Sequence, residues 1–337
     1  MTRCACGAST TLPRRQSVDD GADRVNTLGI PMSTCLICCA QLPERGLPAI
    51  DRLHPTAGTF VVVSCPSCGA GRTLPPASTT ELVAFYPSSY GPFEATPGRV
   101  FSSISAAIQW LQGRLTSSTP PLSSVAKLAP GSGLDVGCGR GDLASWLVQR
   151  GWKMTGVEPS ASAAAIARSR GVNVLEGVLA TVALTEGGFD AAILQQSLEH
   201  TEEPVADLAR IYKAMRPGAI ICISVPNFGS WQAGRFGSRW FHLDAPRHRS
   251  HFTQPSLTRA LQEAGFISIE TTTSTSPVGL PGSIQYRIFG RCLYPSGLPL
   301  RVAGGLCVLA LPIARLLDRA CGGGDILHAV AVKPSSA

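Results

Sequence analysis

The residue types that could do chemistry fall into two sets. The first is Cys35-x-x-Cys38 and Cys65-x-x-Cys68, with 26 residues between the pairs. Four thiolates in two such pairs close a tetrahedral site, and Zn2+ is the expected ion. No ligand position is left open, so the ion's expected role is structural: a module of about 40 residues has too little core to hold itself. The second set is Leu134-Asp135-Val136-Gly137-Cys138-Gly139-Arg140-Gly141, answered by Glu158 at the end of the next apolar run. Glycines there let the backbone approach a ligand, and a helix N-terminus behind them offers N–H groups to a carboxylate. Asp135 can accept from an ammonium. Glu158, at a strand end, can accept from both hydroxyls of a ribose.

These residues need elements that hold them. From residue 132, short apolar runs alternate with helical stretches. Strands are expected at 133–137, 153–158, 172–176, 189–195 and 219–225, with helices at 141–150, 160–170 and 204–214. Alternation of this kind gives βαβ units and a parallel sheet. A helix at 255–264 and strands at 266–273 and 326–332 complete it. The expected fold class is therefore α/β: a Rossmann-like seven-stranded sheet over 122–334, with an apolar insertion at 275–324 and an N-terminal zinc ribbon over 33–75. Residues 1–32 read as a disordered extension whose Cys4 and Cys6 are not ligands. Residues 76–121 read as a helical linker. In it Phe101, Ile104, Ile108, Leu111 and Leu115 recur at helical steps and mark one amphipathic helix.

Composition narrows the class. A hydrophobic fraction of 44% with 15% charged residues fits a chain with a proper core and excludes a disordered one. The 29 basic and 22 acidic residues leave a net charge of +7, without a Lys/Arg run of the length that nucleic-acid binding calls for. Twelve cysteines would suit a disulfide framework, but the N-terminus has no continuous apolar stretch of the secretory kind. Reduced thiols in the cytoplasm, four of them on a metal, are the expectation.

With Asp135, the glycine turn and Glu158 in hand, the chain resembles the class I methyltransferases that use S-adenosylmethionine (SAM), in particular bacterial ones with an N-terminal C4 zinc ribbon. The resemblance runs over 33–333 and includes Phe189-Asp190, Leu198-Glu199-His200, Met215-Arg216-Pro217-Gly218 and Ala264-Gly265-Phe266. It implies SAM as cofactor, held at Asp135, Gly137, Cys138, Gly139, Gly141 and Glu158, with Gln195 on the methionine side. It also implies that 177–179 lie beside the adenine, where an acid is common in the family and this chain has apolar residues. A dehydrogenase would need G-x-G-x-x-G, and the third glycine falls on Asp142.

SAM carries an activated methyl group, so the protein's task is to align an acceptor and manage one proton. His200 is the first candidate base. His248 and His251 follow, in the polar and aromatic segment 240–252 beyond the fifth strand, with Arg247 and Arg249 as candidate anion contacts. The resemblance also makes Glu199-His200 similar to a metal-binding pair of ubiquinone-pathway O-methyltransferases. The partner carboxylate falls on Gln196, a weaker ligand, so metal dependence is not expected. The expected acceptor is a hydroxyl of a small or lipid-linked metabolite. The alternatives are an RNA base methyltransferase and a SAM-binding scaffold without catalysis. A ribbon poor in Lys/Arg and without a stacking set speaks against nucleic acid as partner.

The insertion has thirteen uncharged residues between Arg301 and Arg315, short of the roughly 20 that a spanning helix needs. A buried helix is one reading. The other is peripheral contact with the inner membrane face through 278–320.

Overall fold

A computed structural model describes residues 33–53, 58–77, 85, 120–291 and 310–335. The expected extension over 1–32, the helix over 101–115 and most of the linker lie outside the described residues.

The ribbon supplies β1 (Leu47–Ala49), β2 (Phe60–Ser64) and β3 (Gly71–Leu74), an antiparallel meander. The α/β part follows as α1 (Pro120–Ala126), β4 (Ser132–Val136), α2 (Asp142–Val148), β5 (Lys153–Glu158), α3 (Ala161–Ser169), β6 (Asn173–Glu176), β7 (Phe189–Gln195), α4 (Pro204–Ala214) and β8 (Met215–Pro226). Then come α5 (Trp231–Phe236), β9 (Ser250–His251), α6 (Gln254–Glu263), β10 (Ile267–Ser274), α7 (Gly279–Phe289), α8 (310–320) and β11 (Ile326–Val332).

Seven strands form the central sheet in the order β10-β11-β8-β7-β4-β5-β6. The five from β8 to β6 are parallel, and β11 runs antiparallel between β8 and β10. Successive side chains on a strand point to opposite faces, and the central strands are apolar on both. Leu134, Val136, Ala192, Leu194, Ile221 and Ile223 meet Leu208 and Ile211 of α4 and Leu257 and Leu261 of α6. Ala191, Ile193 and Cys222 meet Val125 of α1, Leu147 of α2 and Ala164 and Ala167 of α3. This two-sided burial is why the middle of β7, Ala191–Leu194, reads as a continuous apolar run rather than an alternation.

The ribbon does not stand apart. Its sheet takes a fourth strand, β9, from the segment that follows β8, with Gly71 opposite His251 and Arg72 opposite Ser250. Cys35, Cys65, Cys68 and Val63 share one buried cluster with Phe252, which carries on into the core under α4 and α6. On the ribbon's other side, Phe60 and Val62 pack with Trp240, Leu243 and Ala245. No helix among the described residues is long and apolar enough to cross a membrane.

Candidate functional site

β4 ends in Val136, and the chain then turns through Gly137, Gly139 and Gly141, all at positive φ (73°, 54° and 73°). They serve two purposes. A Cβ at Gly137 would lie 2.7 Å from the Ser197 Cβ, and one at Gly141 would lie 2.9 Å from the Ala167 Cβ, so both glycines permit close packing. A Cβ at Gly139 would meet nothing within 4 Å, so the middle of the turn opens to free space. Gly137 and Cys138 N–H donate to the Val157 carbonyl at 2.8 and 3.2 Å, Gly141 to Cys138 O at 2.9 Å, and Gly139 to Glu158 Oε2 at 2.9 Å. These four amides already have acceptors within the protein. The Cys138 side chain packs in the core with Ala144 and Ala164, so its part in the turn is played by its backbone.

Glu158 closes the rim from β5. Its Oε1 accepts from Ser160 N at 2.8 Å, which together with the Gly139 bond fixes the carboxylate at a strand end. Burial pushes its pKa up, against those two N–H groups. Asp135 is buried below the turn, and burial, with the Glu158 charge second, raises its carboxyl to about 7. An ammonium beside it would restore the charge. Ser197 Oγ, buried with no hydrogen-bond partner, lies under Gly137. Gln195 is exposed at the carboxyl end of β7. On the far side of Glu158, Gly177 N donates to Glu158 O at 3.0 Å, and Val178 beyond it is exposed. An open-sided glycine, two acids at two strand ends and an exposed apolar residue beside them fit SAM.

The second half of the site lies at the ends of β7 and β8. His200 closes a short 3-10 turn, Leu198–His200. Its Nδ1 lies 3.0 Å from Arg247 O, an acceptor, so Nδ1 carries the proton and Nε2 is the basic nitrogen. His248 is held in the same way, with Nδ1 2.9 Å from His242 O. The two rings meet edge to face at 4.7 Å. Burial lowers the pKa of His200, and that of His248 much further with His200 as a second cause, so both are neutral imidazoles. Glu199 is buried beside them with neither oxygen hydrogen-bonded, 3.9 Å from His248 Nε2. Burial raises its pKa to about 8. One ligand atom each from Glu199, His200 and His248 lie within 4.8 Å of one another.

Three of the expected roles change here. His251 belongs to β9; its Nε2 lies 2.9 Å from Thr73 Oγ1, and that hydroxyl donates to His248 O at 2.6 Å. Buried against Phe228, with burial holding its pKa near about 3, it joins ribbon to sheet rather than facing an acceptor. Arg247 is wholly buried and donates to Asp51, Asp244 and Phe85 O. Burial works against the Asp244 charge, but Arg247 outweighs it and holds that carboxyl near about 2. Arg249, also buried, reaches Glu202 at 3.1 Å and Ala77 O. Neither arginine is available to an anionic ligand, because each is consumed in fixing the segment in place.

In the ribbon, Cys35 and Cys68 Sγ are 3.6 Å apart, and Cys38 and Cys65 Sγ 3.5 Å. All four lie within 4.8 Å of one another. A Zn2+ with four thiolates at about 2.3 Å has S–S edges of about 3.8 Å, so the donor set fits that ion. Cys39 is exposed and outside the set.

Residues 109–271 match the model of a methyltransferase-domain family. The chain carries a class I SAM-dependent methyltransferase domain. Within it, a stretch of 121 residues is 29% identical to malonyl-[acyl-carrier protein] O-methyltransferase of Serratia marcescens, covering 35% of this chain and 47% of that protein. Another of 109 residues is 31% identical to the ubiquinone biosynthesis O-methyltransferase of Pseudomonas paraeruginosa, covering 30% and 47%. The chain thus spans about half the length of the curated relatives it matches. Phosphoethanolamine N-methyltransferase 2 of Haemonchus contortus, solved with S-adenosyl-L-methionine, has a TM-score of 0.48 at 17% identity and covers 84% of this chain and 71% of its own.

Sequence reasoning missed three features that frame the methyltransferase domain's site. They are Thr73, the Asp51–Arg247 pair, and a buried pair in which His242 Nε2 lies 3.0 Å from Asp325 Oδ2. Their partners are 83 to 196 residues apart, a separation that no local pattern reports.

Proposed function

We propose that the protein transfers the methyl group of SAM to a hydroxyl oxygen of a small or lipid-linked acceptor, with His200 taking the proton. One observation carries this reading: an imidazole whose Nδ1–H is tied to Arg247 O, and whose Nε2 is therefore basic, stands at the carboxyl edge that also holds the glycine turn and Glu158. Ligands of open α/β sheets bind at that edge. Asp135 and Glu158 would hold the ammonium and ribose of SAM, Gln195 would line its methionine side, and Val178 would meet the adenine. When bound, SAM supplies a methyl group already activated by its sulfonium.

The chain's own part is alignment and one proton. Arg247 fixes the carbonyl that orients His200. Burial keeps the ring neutral, so Nε2 can receive the proton as the hydroxyl oxygen becomes an ether oxygen. With Arg247 and Arg249 engaged, an uncharged acceptor suits the site better than an anionic one. The two curated relatives named above are O-methyltransferases, which supports oxygen as the acceptor atom. Cys35, Cys38, Cys65 and Cys68 would hold a structural Zn2+, whose reduced thiolates suit the cytoplasm.

The test is transfer of label from SAM into fractionated cell extract. His200→Ala should cut turnover by about 100-fold or more while SAM affinity, read by calorimetry, is unchanged. Glu158→Ala should lose SAM affinity instead. Undiminished turnover in His200→Ala would remove the base assignment, and unchanged affinity in Glu158→Ala the ribose assignment.

A further inference from the structure

α7 and α8 turn large apolar side chains outward. Ile284, Ile288 and Phe289 of α7 are 44%, 66% and 56% exposed, and Ile313 and Leu316 of α8 are 60% and 68% exposed. Exposed apolar groups gathered on adjoining elements mark an interaction surface more often than isolated ones do. Both helices rest on α5. α7 packs against it directly, and α8 is pinned to it through Asp318, which accepts from Trp231 Nε1 at 2.6 Å and Gln232 Nε2 at 3.1 Å. The inner face of α7 is committed elsewhere: Phe241 N donates to Ser283 Oγ at 2.9 Å, and the Phe241 ring lies on Tyr286. The outward face is thus rigidly mounted.

Its charge is one-sided. Between Glu270 and Asp318 the sequence has no acidic residue and four arginines, Arg287, Arg291, Arg301 and Arg315. Asp318 and Asp325 are both buried. Arg52 of the ribbon joins this end, donating to Gly290 O at 2.7 Å and to Ser238 O at 3.0 Å. Exposed apolar side chains on helices that also carry Arg287 and Arg315, with Arg291 just beyond α7, match a surface with an apolar interior and anionic headgroups. Two copies face to face would oppose their arginines, and an RNA would find Phe289 as the one aromatic among the exposed groups named above, where it needs a set of stacking partners.

We propose that α7 and α8 dock the protein on an anionic lipid surface, with Ile288, Phe289 and Leu316 entering the headgroup boundary and Arg287 and Arg291 meeting phosphates. This goes beyond the methyl-transfer reading and does not depend on it. The test is flotation of the full chain with vesicles of phosphatidylcholine alone or mixed with phosphatidylglycerol, at low and high salt. The chain should float with the phosphatidylglycerol vesicles only and be released by salt. Binding should fall about tenfold or more in the triple variant Ile288→Ser, Phe289→Ser, Leu316→Ser, and also in Arg287→Glu with Arg291→Glu, each checked for fold by circular dichroism. Three results would overturn the idea: no flotation of the wild type, equal flotation of the triple variant, or a wild-type dimer that the triple variant converts to monomer without vesicle binding. Flotation gained only on deleting 292–309 would also overturn it, assigning the face to that segment.

Discussion

The guanidinium of Arg247 donates to both carboxylate oxygens of Asp51, at 2.7 and 2.8 Å, and neither side chain has any exposed surface. This fork ties the ribbon to the segment that orients His200. Breaking a buried pair outright costs about 3–5 kcal/mol, but Arg247 is also paired with Asp244, so removing Asp51 leaves it one carboxylate. Asp51→Asn should therefore lose stability by less than that in urea denaturation. Arg247→Met, which strands Asp51 and Asp244 together, should lose more than Asp51→Asn. A single variant as stable as the wild type would show the fork to be dispensable.

Metal and site should fail together. β3 pairs with β9, and Thr73 bridges His251 and the His248 carbonyl, so the turn that carries Cys65 and Cys68, between β2 and β3, is joined through one sheet to the segment holding both histidines. One zinc per chain is expected by atomic absorption. Stripping it with a chelator, or Cys65→Ser, should lower the melting temperature and abolish turnover. The fluorescence of Trp240, buried between ribbon and segment, should change at the same time. Full activity in a metal-free, folded chain would separate the two.

Glu199 should leave a signature in stability against pH. Burial raises its carboxyl from the ordinary 4.5 to about 8, so in the folded chain it stays protonated where the unfolded chain has already ionised it. The folded state therefore binds the extra proton across that window, and stability is lost as pH rises from 4.5 through 8. Glu199→Gln removes this loss. Its melting temperature should match the wild type near pH 4.5 and exceed it increasingly up to pH 8.5, by an amount on the order of 1–3 kcal/mol in stability. The acid limb should remain. His200, His248 and His251 are held neutral by burial, the unfolded chain protonates them below about 6.5, and stability falls as pH drops through that value. A difference curve flat to pH 8.5 would mean that Glu199 ionises normally.

The sheet was legible because its signals are local. The run Ala191–Leu194 is apolar on both faces, and the glycines of the turn stand at fixed steps after Asp135, so spacing alone carries them. His200 was legible for the same reason, being adjacent to the end of β7. The roles of His251, Arg247 and Arg249 were not. Each side chain is judged a ligand or a scaffold by what meets it, and the groups that meet them, Thr73, Asp51 and Ala77, come from the ribbon and the residues just after it. Nothing in 240–252 by itself says that two of its residues form a ribbon strand.

The two knuckles differ at the position after their second cysteine, and the difference should be measurable. In the second, Gly69 follows the last cysteine at φ 75° and its N–H donates to Cys65 O at 2.9 Å. In the first, Cys39 takes that place at φ 59°, with its N–H 3.0 Å from Cys35 O. A side chain in the left-handed region costs about 1 kcal/mol that glycine does not incur. Cys39 is exposed, so little packing offsets that cost. Cys39→Gly should therefore raise the stability of the metal-bound chain by about 0.5–1 kcal/mol and leave zinc at one per chain. The reverse change, Gly69→Cys, should lower stability by more, since a Cβ there would come within 3.2 Å of Thr253 Oγ1 at the start of α6. Loss of zinc from Cys39→Gly would make Cys39 a ligand and reassign the cluster.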